Sequence, residues 1–353
     1  MIKVGIIGCG YWGPKLIRNF YEIPQSEISI ISDLSRERLN TIAQLYGSIA
    51  TTQDYQQLLD SDVEAVCIAT PIRTHYKLVK EALLAGKHVL VEKPLAASTE
   101  EALELCILAD NLGLTLMVGH TFEYNPAVEK LRSIIQSGEL GEIFYIDAAR
   151  LNLGLFQKDI NVLWDLAPHD FSIISFLLDG AEPDFITARG ASHIIPNIYD
   201  VVFSEAYFPN NVLVNVHVSW LDPCKVRRVT VVGSQKMAVF NDVAEAEKIR
   251  IYDKKVTIPQ ETGTGEFINF TPSYFTGDIT IPRIPAAEPL KIECQHFLDC
   301  IATGNVPRSS GWVGLKIVRM LEAADRACKA QPVYTHTVTQ YRPTLVANGN
   351  TGA

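Results

Sequence analysis

The sequence predicts an α/β domain with a doubly wound parallel sheet, followed by an α+β region rich in alternating strands. Three observations carry that prediction. The chain has 353 residues, more than one ordinary domain needs, so two domains are expected. Its first third alternates short β-branched apolar runs with segments of helical period, the pattern of parallel βαβ units buried on both faces. Later runs such as VLVNVHVSW (212–220) and RRVTVVGSQKMAVF (227–240) alternate with period two and read as sheet.

In chain order, IKVGIIG is a strand, and CGYWGPKLIRNFYEI has helical spacing at Leu16, Ile17, Phe20 and Tyr21. EISIISD is a second strand. SRERLNTIAQLYG is an amphipathic helix with Ser35 as N-cap and Gly47 as its stop. Strands EAVCIATP (64–71), HVLVEKP (88–94) and TLMVG (115–119) follow, with helices RTHYKLVKEALLAG and STEEALELCILADNLG between them. Helical period returns in LKIECQHFLDCIATG and GLKIVRMLEAADRACKA, the former a candidate to pack on the first domain. The boundaries expected are 1–121, 122–340 and a poorly ordered tail, 341–353.

Composition excludes several classes. With 47% hydrophobic and 20% charged residues the chain is ordinary and globular, and its net charge of −9 disfavours nucleic acid or anionic membrane as a general partner. No apolar run exceeds five residues, far below the roughly 20 of a membrane span. Met1-Ile2-Lys3-Val4 leads straight into a strand and leaves no room for a signal peptide. The seven cysteines are scattered without CxxC spacing, so neither a disulfide framework nor a metal site is expected, and a cytoplasmic location fits.

Gly8-Cys9-Gly10-Tyr11-Trp12-Gly13 lies between the first strand and the first helix. There Gly8 permits the tight turn, Gly10 lets backbone approach a pyrophosphate, and Gly13 lets helix and strand lie close. The helix N-terminus offers free N–H groups to phosphate. Asp33, at the end of the second strand, suits ribose hydroxyls and repels a 2′-phosphate. These features describe a Rossmann domain for NAD, with NADP the alternative because Arg36 and Arg38 follow.

Two more stretches sit at carboxyl ends of strands, where open α/β sheets bind ligands: Thr70-Pro71 with His75, and Glu92-Lys93-Pro94. Together with Gly86-Lys87-His88-Val89 and Asp165-x-x-x-His169 they make the chain resemble the glucose–fructose oxidoreductase/inositol dehydrogenase (Gfo/Idh/MocA) family over roughly residues 1–330. The resemblance implies a C-terminal domain with a large, open, mostly antiparallel sheet flanked by helices. It also implies that Lys93 stands between nicotinamide and substrate before a cis Pro94, with Asp165 and His169 beside it and Asn125 near the nicotinamide.

The stretch LWDLAPHDFSII (163–174) sets two acids and a histidine among residues suited to a core. A helix beginning near Asp165 puts Asp165 and His169 on one face at i, i+4, and tolerates Pro168 in its first turn. It buries Ile173, Ile174 and Phe176. A neutral imidazole suits removal of a hydroxyl proton, Asp165 orients it or holds a substrate hydroxyl, and Lys93 polarises the same oxygen. Asp170 has no expected role.

Residues suited to a sugar surround this group: His120, Tyr124, Arg150, Asn152, Asn161 and Trp164, with Lys225 and Arg227 supplying charge for a diphosphate. Many relatives carry arginine within the stretch matching 121–124, which here reads Thr-Phe-Glu-Tyr, so their inositol or glucose specificities are kept as alternatives and not as the first expectation. The stretch LNLG…NVLWDLAPHD resembles members that oxidise nucleotide sugars at C3. The expected function is NAD(P)-dependent oxidation of a ring hydroxyl on a sugar or nucleotide sugar. The alternatives are an inositol or aldose dehydrogenase, an NAD-dependent glycosidase, and a non-catalytic sugar or NAD sensor. A homodimer or homotetramer is expected, formed through strands between 142 and 240.

Overall fold

The computed structural model describes residues 1–47, 49–257 and 272–330, so the tail expected from 341 lies outside the described residues. The chain begins β1 (Ile2–Ile7), α1 (Gly13–Glu22), β2 (Ser26–Ser32), α2 (Arg36–Leu45), β3 (Ala50–Thr52) and α3 (Tyr55–Leu59). It continues β4 (Ala65–Ile68), α4 (His75–Leu84), β5 (His88–Glu92), α5 (Thr99–Leu112) and β6 (Leu116–Gly119). Apolar faces decide these elements: Leu16, Ile17 and Phe20 of α1 are buried, and all four residues of β4 are buried. Ser35 caps α2 by accepting from the Arg38 N–H at 3.4 Å, while the helix ends at Leu45, two residues before the expected Gly47.

The six strands form one parallel sheet in the order β3-β2-β1-β4-β5-β6. Its strand order reverses between β1 and β4, the switch point at which such sheets bind ligands. Ile7 is in register with Ile68, so the glycine loop after β1 and the Thr70 segment after β4 share one edge.

The second half contains α6 (Pro126–Gln136), β7 (Ile143–Leu151) and α7 (Val162–Leu177). Next come β8 (Phe185–Ala191), β9 (Val201–Phe208), β10 (Val212–Ser219), β11 (Val226–Gly233), β12 (Met237–Asn241), β13 (Ile249–Thr257) and β14 (Ser273–Thr280). They form an eight-stranded sheet in the order β14-β13-β12-β11-β7-β10-β9-β8, antiparallel except for the β7–β10 pair. Val214, Val216, Ile146 and Ala148 face one side and make a single core with Phe171 and Ile174 of α7. On the other side Tyr145, Phe203 and Leu213 are exposed, and Phe203 stacks on His217.

The last two helices, α8 (Pro289–Thr303) and α9 (Gly311–Lys329), fold back on earlier elements. Phe297 of α8 packs edge-on against Phe20 of α1, and α9 contacts both α5 and α7. Neither the short β3–α3 unit nor α6 is among the elements the sequence pattern predicts.

Candidate active site

The glycine loop has the shape a dinucleotide needs. A Cβ at Gly8 (φ +101°) would stand 2.5 Å from the Ala69 carbonyl oxygen, and one at Gly13 would stand 2.2 Å from that of Gly8. At Gly10 a Cβ would meet nothing within 4 Å, which leaves an open cradle beside the start of α1, whose N-terminus has no side-chain cap. That space fits a pyrophosphate on free N–H groups. Asp33 Oδ2 accepts from the Cys9 N–H at 2.6 Å and Oδ1 from the Ser35 N–H at 2.7 Å. Each oxygen keeps a lone pair for a ribose hydroxyl, although Arg38 lies 3.7 Å from Oδ2. Tyr11 and Trp12 share the ammonium of Lys15 over their rings, with Tyr11 largely exposed at the mouth.

Lys93 follows β5 across a cis peptide to Pro94, as the resemblance implies. Its Nζ donates to the Asp165 carbonyl oxygen at 2.7 Å and stands 3.6 Å from Asp165 Oδ1. The Trp220 indole N–H donates to Asp165 Oδ2 at 3.0 Å, so the carboxylate is held between an ammonium and an indole. The Lys93 and Asp165 side chains remain 11% and 21% exposed, enough to meet a ligand. Glu92 is buried beside them, and burial pushes its carboxyl up to about 7.

His169 lies one turn beyond Asp165 with its ring edge-on to Phe122 at 5.3 Å. Its Nδ1 is buried and unpartnered, whereas Nε2 makes no hydrogen bond and keeps some accessible surface. Burial, then the charges of Lys93, Arg150 and Arg227, hold the imidazole well below its ordinary pKa. The ring is therefore neutral, and ready to accept, throughout the physiological range.

The helix carrying this pair differs from the expected one. Asn161 caps it through a bond from the Trp164 N–H at 3.2 Å, so α7 starts at Val162 and Pro168 falls inside it. Pro168 has no N–H for the Trp164 carbonyl, and its ring crowds that group. The next carbonyl, that of Asp165, bonds to Lys93. The break in the ladder is where the lysine attaches.

Several residues expected at the substrate are engaged elsewhere. Arg150 is buried and forms a two-point ion pair with Asp170, at 2.8 and 3.0 Å, leaving no free fork for a sugar carboxylate. Tyr124 is fully buried against Ser309 Oγ at 2.9 Å, and His120 is buried with both ring nitrogens unpartnered. Asn161 also donates to Asp325, while Asn125 caps α6 through the Ala127 N–H. His75 does not face the cleft: its ring bridges the carbonyl oxygens of Thr70 and Pro94, each at 2.8 Å. It braces the Thr70-Pro71 and Lys93-Pro94 segments against each other. Trp164 and Asn161 line a separate cavity of about 340 Å³ with Arg73 and Lys158.

Arg227 is in register with Arg150 across the β7–β11 ladder, on the sheet face towards α7, and its side chain stays 39% exposed beside Asp242 at 3.4 Å. The charges of Arg227 and Lys225 are both felt at Tyr11, and that of Arg227 at His169. Asn152 follows β7, half-buried, with its N–H on the Ser219 carbonyl. Trp220 and Asp170 were missed. The signal for Trp220 was its place at the carboxyl end of an alternating strand, an apolar ring with one polar handle.

The glycine cradle, the switch point and the Rossmann sheet define an NAD-binding domain of the oxidoreductase class. The chain belongs to the Gfo/Idh/MocA family: residues 2–120 match the oxidoreductase family's NAD-binding Rossmann fold, and residues 128–239 match the GFO/IDH/MocA C-terminal domain. It is 28% identical over 332 residues to a UDP-N-acetylglucosamine 3-dehydrogenase of Acidithiobacillus ferrooxidans, covering 90% of this chain and 94% of that one. It is 24% identical over 321 residues to the scyllo-inositol 2-dehydrogenase (NAD(+)) of Bacillus subtilis, covering 87% and 88%. The crystal structure of the A. ferrooxidans enzyme GnnA superposes with a TM-score of 0.76 at 25% identity, covering 93% of this chain and 98% of that one.

Proposed function

We propose that this protein oxidises the C3 hydroxyl of a nucleotide-linked or acidic sugar with NAD, using Lys93, Asp165 and His169. The observation that carries the reading is the Lys93–Asp165–Trp220 lock beside a neutral His169, with the half-exposed Arg227 on the adjoining sheet face. Likeness to a UDP-N-acetylglucosamine 3-dehydrogenase supports the substrate class.

Gly8, Gly10 and Gly13 with the start of α1 hold the pyrophosphate, and Asp33 the ribose. When bound, NAD supplies a hydride acceptor at the carbinol carbon. Lys93 donates to the reacting oxygen and stabilises the charge that develops there. His169 accepts the hydroxyl proton at Nε2, its open nitrogen. Asp165, fixed by Trp220, keeps the lysine aimed. Arg227 and Lys225 bind the anionic part of the substrate.

A substrate panel with NAD tests this. UDP-N-acetylglucosamine or its uronic acid is expected to yield NADH, and yield confined to a cyclitol or free aldose would overturn the assignment.

The same reading includes a homodimer or homotetramer through the eight-stranded sheet. The exposed Tyr145, Phe203 and Leu213, and the stacked pair Phe185–Tyr207, support it. Among the described residues no helix is long and apolar enough to cross a membrane, and all seven cysteines are unpaired, which suits the reducing cytoplasm.

A further inference from the structure

Each oxidation liberates one proton, and a base as sheltered as His169 cannot keep it. Behind the site lie three glutamates that take no part in the chemistry above. Glu92 ends β5, Glu123 belongs to the short turn after β6, and Glu293 lies on α8; they are 9%, 2% and 1% exposed. None of them forms a salt bridge among the described residues. Thr121 Oγ1 donates to Glu293 Oε2 at 2.8 Å. Glu293 Oε1, Glu123 Oε1 and both ring nitrogens of His120 are buried with no protein partner among the described residues.

Four unmet polar atoms in one part of the interior call for an occupant, because buried polar groups in native proteins are almost always bonded to protein or ordered water. Each of these atoms offers a water one of the several bonds it needs. The groups are also joined through one turn of the fold: Phe122 stands edge-on to His169 at 5.3 Å, Thr121 bonds to Glu293, the Glu123 N–H donates to the His120 carbonyl oxygen at 2.9 Å, and Arg308 Nη1 donates to the Glu123 carbonyl oxygen at 2.6 Å. The charge of Lys93 is felt at Glu92 and at His120, that of Glu92 at Glu293, and that of Glu293 meets Glu123. Glu123 feels Arg308, which reaches the surface and pairs with Glu129.

We propose that a string of internal waters, held by His120, Glu293 and Glu123, joins the Lys93–His169 site to the surface at Arg308 and carries the reaction's proton out. This rests on the oxidoreductase reading above. The hydroxyl proton arrives at His169 Nε2, one proton enters the string at His120, and an equivalent proton leaves beyond Glu123, so no relay group changes its net protonation, and tautomer exchange resets each before the next turnover. An imidazole with two free nitrogens can accept on one and donate from the other. Burial keeps the Glu123 and Glu293 carboxyls protonated, raising Glu123 to about 8 and Glu293 well above the carboxylate range, and a protonated carboxyl both gives and takes. These are positioning residues, remote from the reacting atoms.

Stopped-flow oxidation of UDP-N-acetylglucosamine, with NADH absorbance and a pH-indicator dye followed together, tests the path. In the unaltered protein the two signals should rise in step. Glu293→Gln keeps shape and the Thr121 bond, and should delay the dye behind NADH by about tenfold or more, with Glu293→Asp restoring it, a smaller effect than the 10² or more of a group on the reacting atoms. Signals that stay in step in Glu293→Gln overturn the path. A second readout needs no turnover: in D2O the infrared band of protonated carboxylic acids should lose one component in Glu293→Gln and another in Glu123→Gln. Absence of that band, or a crystal structure with no water at the four atoms, overturns the string. Bands and waters present in a protein that reduces no NAD would keep the string and reject the oxidoreductase reading instead.

Discussion

At the scale of single residues, the account divides side chains that touch ligand from those that hold them. Lys93→Ala or His169→Ala is expected to lower kcat by about 10²-fold or more, the usual loss for an acid–base group, in NADH assays. Trp220→Phe keeps the ring but removes the donor to Asp165 Oδ2. A bond to a charged acceptor contributes about 1.5–3 kcal/mol, so roughly tenfold or more is expected from kcat with NAD binding unchanged by calorimetry. Arg150 belongs to the other group. Arg150→Ala strands Asp170 as an unpaired buried charge and should cost about 3–5 kcal/mol in urea unfolding. Gly8, Gly13, Lys93, Asp165 and His169 stand out in the sequence because they lie in local motifs at strand ends and on one helix face. Arg150, Asn161, Tyr124 and His75 did not read clearly, because each is claimed by a partner distant in sequence or by a cap that appears only once the chain has folded.

At the scale of elements, α7 and the buried turn after β6 shape the behaviour of the site. Asn161 starts the helix ahead of Asp165, so Pro168 falls inside it and not in its first turn, and Lys93 binds the carbonyl next to the one the proline leaves without its helical N–H. A proline marks a break without saying on which side the helix begins. The three-residue β3 has no room to express a period, which is why pattern alone passed over it. The turn after β6 makes stability depend on pH. Glu123 moves from 4.5 unfolded to about 8 folded, because burial outweighs Arg308 and Arg132. Between those values the folded state keeps a proton the unfolded state has lost, so stability falls as pH rises, by up to about 1.4 kcal/mol per unit. Urea unfolding at pH 6 and pH 8 should show that loss, and Glu123→Gln should reduce it, the remainder coming from the raised Glu92 and Glu293 carboxyls. Burial lowers His120 from 6.5 to about 3, so this group costs stability as pH falls below 6.5.

At the scale of the whole molecule, two sheets present different faces. The parallel sheet is covered on both sides, so its strands read as unbroken apolar runs and its class was plain from sequence. The eight-stranded sheet is covered on one side, by α6, α7 and α9, and its alternation reveals sheet without revealing strand order, which depends on long-range pairing. Light scattering should give a dimer or tetramer, and Phe203→Glu on the exposed face should shift it to monomer.

The central claim is that hydride leaves C3 of a nucleotide sugar at the Lys93–Asp165–His169 site. UDP-N-acetylglucosamine deuterated at C3, incubated with NAD and analysed by mass spectrometry, tests it most directly. Deuterium in the reduced nicotinamide, formed more slowly than from unlabelled sugar and lost in His169→Ala, is the predicted result. Reduced nicotinamide free of deuterium would contradict it.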